Sequence, residues 1–295
     1  MDNWVTATST EDVPIQGNWK SVSVGNDSEG NVVIAGCQSG TGYLWYSLDN
    51  GNTWKQASIN KFPIQGNWIS VSVGKDNVDV IAGCQSGTGY LWYSLDGGDT
   101  WQQASDNNVP IQGNWTSVSV GYNDNQENII ITGCQSESGY LWYSLDGGNT
   151  WQQATDIDNN LIQGEWASVS VGKDNQDNVV IAGCQSGNGY LWYSLDGGNK
   201  WEQLSDDKGP IQSNWTSVSV DKGDIAGCQS VTGSLWYSVD GGVSWNQASA
   251  DKFGVILGDW NSVSVDKGIN GTVIAGFQEG GYLWLMLSRV KKDQR

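Results

Sequence analysis

A sixfold internal repeat is the feature of this sequence that most constrains its fold. The motif W-x-S-V-S-V begins at six tryptophans spaced by 45 to 51 residues, which are Trp19, Trp68, Trp115, Trp166, Trp215 and Trp260. Each copy continues with an apolar run that ends in Gly-Cys-Gln or Gly-Phe-Gln, and then with a Leu-Trp segment. A period of this length is typical of architectures in which each copy is one supersecondary unit.

Each repeat contains four segments with strand character. In the first repeat they read W-K-S-V-S-V, V-V-I-A-G-C-Q, Y-L-W-Y-S-L and T-W-K-Q-A-S, with Gly, Asn and Asp between them. β-Branched and aromatic residues favour strands, and no sustained helical period is present. The pattern predicts an all-β chain, a six-bladed β-propeller of four-stranded antiparallel blades over residues 1–288. The predicted blades start near residues 19, 68, 115, 166, 215 and 260.

The two ends of the sequence complement each other. The sixth repeat stops after Leu287 and lacks a fourth strand segment, whereas residues 2–8 resemble the fourth segment at residues 52–58. We therefore expect residues 2–8 to complete the sixth blade, because a paired strand leaves no exposed sheet edge. Residues 289–295 form a basic tail, which we expect to be solvated.

Five repeats carry the sequence S-[LV]-D-[GN]-G-x-[TSK]-W, in which the aspartates are Asp49, Asp96, Asp146, Asp196 and Asp240. These segments resemble Asp-boxes, the motif of sialidase-type (BNR) repeat propellers. The resemblance implies a hairpin between the third and fourth strands of each blade, with a structural role for the aspartate. A short Asp side chain can bond nearby backbone amides there, and Gly allows a positive φ.

The same resemblance bears on catalysis, because sialidases of this family use three arginines to clamp a carboxylate. This chain has only Arg289 and Arg295, both near its end, and it has no histidine. A sialidase site and a histidine-based triad are therefore excluded. We also expect catalytic sites to break internal symmetry, so the prediction is a protein that is not an enzyme, with no catalytic residue and no cofactor.

The net charge and the cysteine content limit which partners, disulfides and metal sites the sequence predicts. The net charge of −18 disfavours binding to nucleic acids and anionic lipids. The five cysteines occur once per repeat, without a local pair, so neither a disulfide framework nor a metal site is expected. No signal peptide and no membrane-spanning apolar stretch are recognisable, and we expect a cytoplasmic or virion-associated protein. We expect it to be a monomer or a small homo-oligomer.

The loops predicted between the second and third strands, and between the fourth strand and the next repeat, are nearly identical from copy to copy. The functional interpretation is a multivalent lectin-like module, similar to propeller lectins, in which aromatic rings stack on sugars and amides bind hydroxyls. The candidate ligand-binding residues are Gln38, Tyr43, Asn67, Trp68, Gln85, Tyr90, Asn114, Trp115, Gln135, Tyr140, Gln185, Tyr190, Gln229 and Gln278.

Other interpretations of the same residues stay open from the sequence. The tryptophans can pack between blades as core, and the glutamines can bond buried backbone groups. The partner is then a glycan or a protein. A structural or protein-interaction propeller, such as a virion or assembly component, is the alternative function, and weak nucleic-acid binding is the third.

Overall fold

The computed structural model describes residues 5–9, 13–74, 79–122, 129–174, 176–250, 254–268, 271–279 and 282–289. Within these ranges the chain contains strands and turns and no helix, as predicted. Its contacts divide it into two compact units, Met1–Gln135 with Ser144–Gln152, and Ser136–Tyr143 with Gln153–Arg295. The single domain expected over residues 1–288 stays a prediction.

The first three repeats contain 19 of the strands. Those of the first repeat are β1 (Trp19–Asn26), β2 (Val32–Gln38), β3 (Gly42–Ser47), β4 (Lys55–Gln56), β5 (Ser58–Ile59), β6 (Phe62–Pro63) and β7 (Gln65–Gly66). Those of the second are β8 (Trp68–Val73), β9 (Ile81–Gln85), β10 (Gly89–Ser94), β11 (Gln102–Gln103), β12 (Ser105–Asp106), β13 (Val109–Pro110) and β14 (Gln112–Gly113). Those of the third are β15 (Trp115–Tyr122), β16 (Ile129–Gln135), β17 (Gly139–Ser144), β18 (Gln152–Gln153) and β19 (Gln163–Gly164).

The last three repeats continue the series. The fourth contains β20 (Trp166–Lys173), β21 (Val179–Gln185), β22 (Leu191–Ser194), β23 (Glu202–Gln203), β24 (Ser205–Asp206) and β25 (Gly209–Pro210). The fifth contains β26 (Trp215–Asp221), β27 (Asp224–Gln229), β28 (Gly233–Ser238), β29 (Asn246–Gln247), β30 (Ser249–Ala250), β31 (Gly254–Val255) and β32 (Leu257–Gly258). The sixth contains β33 (Trp260–Gly268), β34 (Gly271–Gln278) and β35 (Leu283–Arg289).

Four of the repeats form the same antiparallel four-stranded path. The strand orders are β1-β2-β3-β4, β8-β9-β10-β11, β20-β21-β22-β23 and β26-β27-β28-β29. In the third repeat β15 pairs with β16, and β17 pairs with β19. The sixth repeat forms a three-stranded sheet, β33-β34-β35. Of the segment expected to complete it, residues 2–4 lie outside the described part of the chain, and so do residues 290–295 of the predicted tail.

In every repeat the register of the first strand pair shifts at the tryptophan that begins the repeat. In the first repeat Trp19 is opposite Gln38, but Ser21 is opposite Cys37, so one residue is bulged out of the ladder. The same shift follows the first tryptophan of the other repeats. Beyond the bulge, valines and serines alternate along the strand and point to opposite faces of the sheet.

The core of each unit lies between consecutive repeats. We call the face of a repeat that carries Val33, Leu44 and Tyr46, or their equivalents, the trailing face. The face that carries Trp68 and Val71, or their equivalents, is the leading face. The trailing face of the first repeat packs against the leading face of the second in one apolar cluster. The fourth and fifth repeats, and the fifth and sixth, meet in the same way.

Serine side chains add a polar link at these interfaces. The Ser23 hydroxyl accepts a hydrogen bond from the backbone N–H of Val73 in the next repeat, at 3.0 Å. The Ser219 hydroxyl does the same for Val265 at 3.1 Å. The S-V-S-V pattern therefore supplies a valine to the leading face and a hydroxyl to the trailing face of the same strand.

Candidate functional site

The repeated glutamines hold loops together inside each repeat. Five of the six candidates are buried, Gln38, Gln85, Gln135, Gln185 and Gln229, and Gln278 is partly buried. In the first repeat Gln38 Nε2 donates to the carbonyl oxygen of Gln16 at 3.1 Å, and its Oε1 accepts from Trp45 Nε1 at 3.4 Å. The Gln38 amide is therefore used in internal hydrogen bonds, whereas the buried Nε2 atoms of Gln135 and Gln229 have no hydrogen-bond partner among the described residues.

The candidate tryptophans belong to the core. Trp68 and Trp115 are both 0% exposed, so neither presents a ring face on which a sugar could stack. The four candidate tyrosines, Tyr43, Tyr90, Tyr140 and Tyr190, are partly exposed. Ligand binding by these tyrosines stays a prediction.

The candidate asparagines connect consecutive repeats. Asn67 Oδ1 accepts a hydrogen bond from the Gly40 backbone N–H at 2.7 Å, and Asn114 Oδ1 accepts from Gly87 at 2.6 Å. Asp259 accepts from Val231 in the same way at 2.9 Å. A side chain one position before the tryptophan thus caps the loop of the preceding repeat.

The aspartates of the S-x-D motif organise the turn that follows the third strand. Asp49 Oδ1 accepts from the Thr53 backbone N–H at 2.8 Å, and its Oδ2 accepts from the Thr53 hydroxyl at 2.6 Å. The Thr53 hydroxyl and N–H together hold the pKa of Asp49 below its ordinary value. Asp96, Asp146 and Asp240 receive equivalent bonds from Thr100, Thr150 and Ser244, and Asp196 receives one from the Lys200 backbone. All five carboxylates are therefore tied into turns.

Two glutamates depart from the repeat at adjacent loops, and our sequence reasoning missed both. Glu137 stands where the first, second and fourth repeats have Gly40, Gly87 and Gly187. Glu165 stands where most repeats have an asparagine before the tryptophan. Aligning the six copies and looking for the differences, instead of the shared residues, would have found this pair.

Strand pairing brings these two glutamates to the same place. Gly139 of β17 pairs with Gly164 of β19, and Glu165 directly follows Gly164 while Glu137 precedes Gly139 by two residues. Gln163 Nε2 also donates to the Ser138 carbonyl oxygen at 2.6 Å, which ties the two loops together. Both glutamates are exposed. The result is a pair of solvent-accessible carboxylates at one end of a short ladder.

The backbone at Glu137 has an uncommon conformation. Its φ is +59°, in the left-handed region, where Gly40 and Gly87 have φ of +76° and +77°. A residue with a Cβ costs roughly 1 kcal/mol in this conformation, so glycine would be the less strained choice. Val231, at the same position of the fifth repeat, has a φ of +53°, so this conformation belongs to the loop of the repeat.

Metal-binding clusters and exposed cysteines are absent from the described residues. No group of three or more Cys, Asp or Glu side chains there could hold a metal ion. The five cysteines are buried and free, and burial raises the pKa of the Cys37 and Cys134 thiols to about 12. No helix in this part of the chain is long and apolar enough to cross a membrane.

Comparison with known proteins supports the fold class. The family model described as "Sortilin, neurotensin receptor 3" (Sortilin-Vps10), a β-propeller domain, matches residues 89–233, just under half of the chain. No curated protein matches the chain. The all-β architecture with propeller-like neighbours is thus confirmed.

Solved structures with a similar fold include enzymes. A GH74 enzyme of Niastella koreensis is 15% identical with a TM-score of 0.59, covering 91% of this chain and 45% of that chain. An ancestral GH74 enzyme is also 15% identical with a TM-score of 0.59, covering 92% of this chain and 38% of its own. The chain thus spans less than half the length of these enzymes.

A further neighbour carries a peptide. YCF48 bound to D1 peptide is 14% identical with a TM-score of 0.55, covering 94% of this chain and 80% of that chain. The neighbours therefore include carbohydrate-processing and peptide-binding proteins, which agrees with a glycan or protein as the partner.

These neighbours overturn two predictions made from the sequence. The noncatalytic lectin-like module predicted from the sequence is contradicted, because the structures with this fold include glycoside hydrolases. The expectation that the chain is not an enzyme is contradicted by the same structures. The missing histidine and arginines exclude sialidase chemistry only, since a pair of carboxylates suffices for glycoside hydrolysis.

Proposed function

We propose that the protein hydrolyses glycosidic bonds, with Glu137 and Glu165 as its carboxylate pair. The pairing of Gly139 with Gly164 is the observation that carries this proposal. The glycoside hydrolases among the neighbours give it independent support. Six blades, one per repeat, and Asp-box turns in five of them are part of the same proposal.

The spacing of the two loops suits this chemistry. Paired residues in antiparallel strands have Cα atoms about 5 Å apart, and each step along a strand adds roughly 3.3 Å. Side chains one and two residues beyond a pair can therefore bring their carboxyl groups to the separations of about 5 to 9.5 Å that glycosidases use.

Each carboxyl group would have a defined task in the reaction. One, in its protonated form, donates a proton to the glycosidic oxygen as the bond to the anomeric carbon breaks. The other, ionised, either attacks the anomeric carbon or removes a proton from the attacking water. Overall, water adds across the bond, so no cofactor is required.

The test is release of reducing sugar from a panel of polysaccharides and aryl glycosides. We expect wild-type protein to hydrolyse at least one substrate, and Glu137→Gln and Glu165→Gln each to lower kcat by about 10²-fold or more. Glu29→Gln is the matched control, because Glu29 is an exposed glutamate in a loop between first and second strands. It should retain the wild-type rate.

Azide rescue assigns the two roles. If one residue is a nucleophile, its alanine variant with azide should form a glycosyl azide of inverted anomeric configuration, because azide takes the place of the missing carboxylate. An inactive wild type across the panel, or full activity in both glutamine variants, contradicts the proposal.

A further inference from the structure

The loop between the second and third strands of the fourth repeat, residues 186–189, lies beside the carboxylate of Glu165. A Cβ atom added at Gly187 would be 3.0 Å from Glu165 Oε2. At the equivalent glycines of the first and second repeats, Gly40 and Gly87, such a Cβ would meet nothing within 4 Å. The Glu165 carboxylate therefore occupies a place, against the Cα atom of Gly187, that is empty in those repeats.

The length of the Glu165 side chain explains this position. Asn67, its counterpart in the second repeat, reaches Ser86, where Asn67 Nδ2 donates to the hydroxyl oxygen at 2.7 Å. Ser86 corresponds to Ser186 of the fourth repeat. Because a glutamate is one methylene group longer than an asparagine, its carboxylate extends one residue further along the loop. A methyl group at position 187 would push that carboxylate away.

Three hydrogen bonds hold the 186–189 loop in place. They run from the Ser186 N–H to the Glu165 carbonyl oxygen at 2.8 Å, from the Gly187 N–H to Asn214 Oδ1 at 2.8 Å, and from the Ser213 N–H to the Gly189 carbonyl oxygen at 2.9 Å. The loop, its partners and both glutamates of the proposed site belong to the same compact unit. The loop therefore presents its exposed residue in a fixed position relative to Glu165.

Asn188 is the side chain that this loop presents to solvent. Its φ of +66° lies in the left-handed region, which asparagine adopts more readily than most residues. Its amide forms no hydrogen bond to another described residue, whereas the amide of Asn214 uses both its oxygen and its nitrogen. The position also departs from the repeat, since its equivalents are Thr41, Thr88, Ser138 and Thr232. Asn188 thus offers a hydrogen-bond donor and an acceptor next to a proposed catalytic carboxylate.

We propose that Asn188 is a specificity-determining residue, which binds hydroxyl groups of the glycan that is cleaved at Glu137 and Glu165. This inference rests on the proposed glycoside hydrolysis. A planar amide can donate to one ring hydroxyl and accept from its neighbour, so its fixed position selects the configuration of that pair. Gly187 is a positioning residue in the same loop, because it leaves space for the Glu165 carboxylate at the side of the sugar ring.

Kinetics on the best substrate of the wild type test the role of Asn188. Asn188→Gly removes the amide and keeps a residue that adopts a positive φ without strain. We expect KM to rise about tenfold or more while kcat stays within about twofold, as loss of a binding contact does. Asn108→Gly is the matched control, because Asn108 is an exposed asparagine with a φ of +64° in the turn between β12 and β13. It should leave both constants unchanged.

Monodeoxy analogues of that substrate show which hydroxyl Asn188 binds. An analogue that lacks the bound hydroxyl has nothing to lose when the amide is removed. Wild type and Asn188→Gly should therefore have similar KM values for that analogue and different values for the parent substrate. A purely structural role of Asn188 would raise KM for every analogue alike.

Gly187→Ala tests the position of the carboxylate. We expect kcat to fall about tenfold or more with little change in KM, because the added methyl group displaces Glu165 from its place in the reaction. Gly40→Ala is the matched control, since it introduces a Cβ at a similar positive φ and meets nothing within 4 Å. The ¹³C chemical shift of the Glu165 carboxyl carbon, assigned with Glu165→Gln, needs no substrate. It should move in Gly187→Ala and stay in Gly40→Ala.

The outcomes separate this inference from the proposed function. An active wild type with an unchanged KM in Asn188→Gly overturns the inference and leaves glycoside hydrolysis standing. If the wild type hydrolyses nothing, calorimetric titration with cellopentaose and xylopentaose decides. Binding that is weakened in Asn188→Gly and kept in Asn108→Gly supports the Asn188 site without hydrolysis, and no binding overturns both. A Glu165 carboxyl shift that stays the same in Gly187→Ala contradicts positioning by Gly187.

Discussion

The phenol hydroxyl of Tyr46 donates a hydrogen bond to the backbone carbonyl oxygen of Gly98, 3.0 Å away and 52 positions further along the chain. The same oxygen accepts from Trp101 Nε1 at 3.0 Å. One carbonyl group in the turn of the second repeat is thus bonded to both repeats. Equivalent bonds join Tyr93 to Gly148 and Tyr143 to Gly198.

Removing this hydroxyl should destabilise the fold modestly. We expect Tyr46→Phe to lower the free energy of unfolding by about 0.5 to 1.5 kcal/mol, because Trp101 still satisfies the Gly98 carbonyl. Urea unfolding monitored by tryptophan fluorescence measures the change. Tyr43→Phe is the control, since its hydroxyl accepts a long hydrogen bond of 3.4 Å from the exposed Gln65 amide, and its effect should stay within about 0.5 kcal/mol.

We expect the Thr53 side chain to have a measurable effect on the pKa of Asp49. In Thr53→Val the carboxylate loses its hydroxyl donor, so the pKa of Asp49 should rise toward its ordinary value. NMR titration of the side-chain carboxyl carbon reports this directly. Thr41→Val, in an exposed loop, should leave the pKa unchanged.

The lowered pKa of Asp49 determines how the free energy of unfolding changes with pH. Because the folded state holds its proton less tightly, the contribution of Asp49 is present above the ordinary Asp pKa and is lost as pH falls through the folded pKa. Thr53→Val should therefore unfold at a higher pH than wild type in acid titration. An unchanged acid midpoint would argue against a stabilising role for this bond.

Asp224 is a wholly buried carboxylate that depends on one cation. Lys267 Nζ lies 2.8 Å from Asp224 Oδ1, and the Thr272 hydroxyl donates to the other oxygen. We expect Lys267→Met to cost about 3 to 5 kcal/mol, because it leaves a buried charge without its partner. Thermal and urea unfolding measure the loss.

A double variant separates the charge from the packing. Asp224→Asn combined with Lys267→Met removes both charges, so it should be more stable than Lys267→Met alone. If the two variants were equally destabilised, loss of the lysine stem, and not the unpaired charge, would be the cause.

Because the cysteine thiols are buried, we expect the folded state to lose stability at alkaline pH. Burial raises the pKa of Cys37 and Cys134 from 9.0 to about 12, so the folded state keeps protons that the unfolded chain releases. The thiol contribution is thus fully present below about pH 9 and falls as pH rises toward 12. Each such thiol adds a slope of about 1.4 kcal/mol per pH unit in that window.

Cys37→Ala tests this slope, since it should reduce the pH dependence by the share of one thiol. Labelling with a thiol reagent supplies a second readout at mildly alkaline pH. The folded protein should react slowly, and the unfolded protein should react at all five cysteines. Fast labelling of the folded protein would contradict the buried positions.

Much of the fold is readable from the sequence, since alternating valine and serine mark a strand with two different faces. The main difference between the prediction and the structure is the fourth strand, which is shorter than the predicted segment. Only Lys55 and Gln56 pair in the first repeat, while Ala57 bonds to Leu44 and the next residues form a separate short hairpin. These bonds lie within the first repeat, and the composition of the segment does not show where its pairing with β3 ends.

The candidate site was harder to predict for a physical reason. The tryptophan before a strand looks the same whether it meets solvent or the next repeat, and only packing shows that Trp68 is buried. Repetition also directs attention to shared residues, whereas Glu137 and Glu165 differ from their equivalents. The informative positions in a repeat protein are those where one copy departs from the others.

The interchangeable faces of the repeats have a consequence for how such a gene changes. Loss of the second repeat by recombination between near-identical copies would bring Leu44 and Tyr46 opposite Trp115 and Val118, the same residue types they meet at Trp68 and Val71. Gain of a repeat preserves the contacts in the same way. Copy number is therefore a heritable variable that unequal crossing-over can alter in one step, while the tryptophan and valine that meet the preceding repeat are kept.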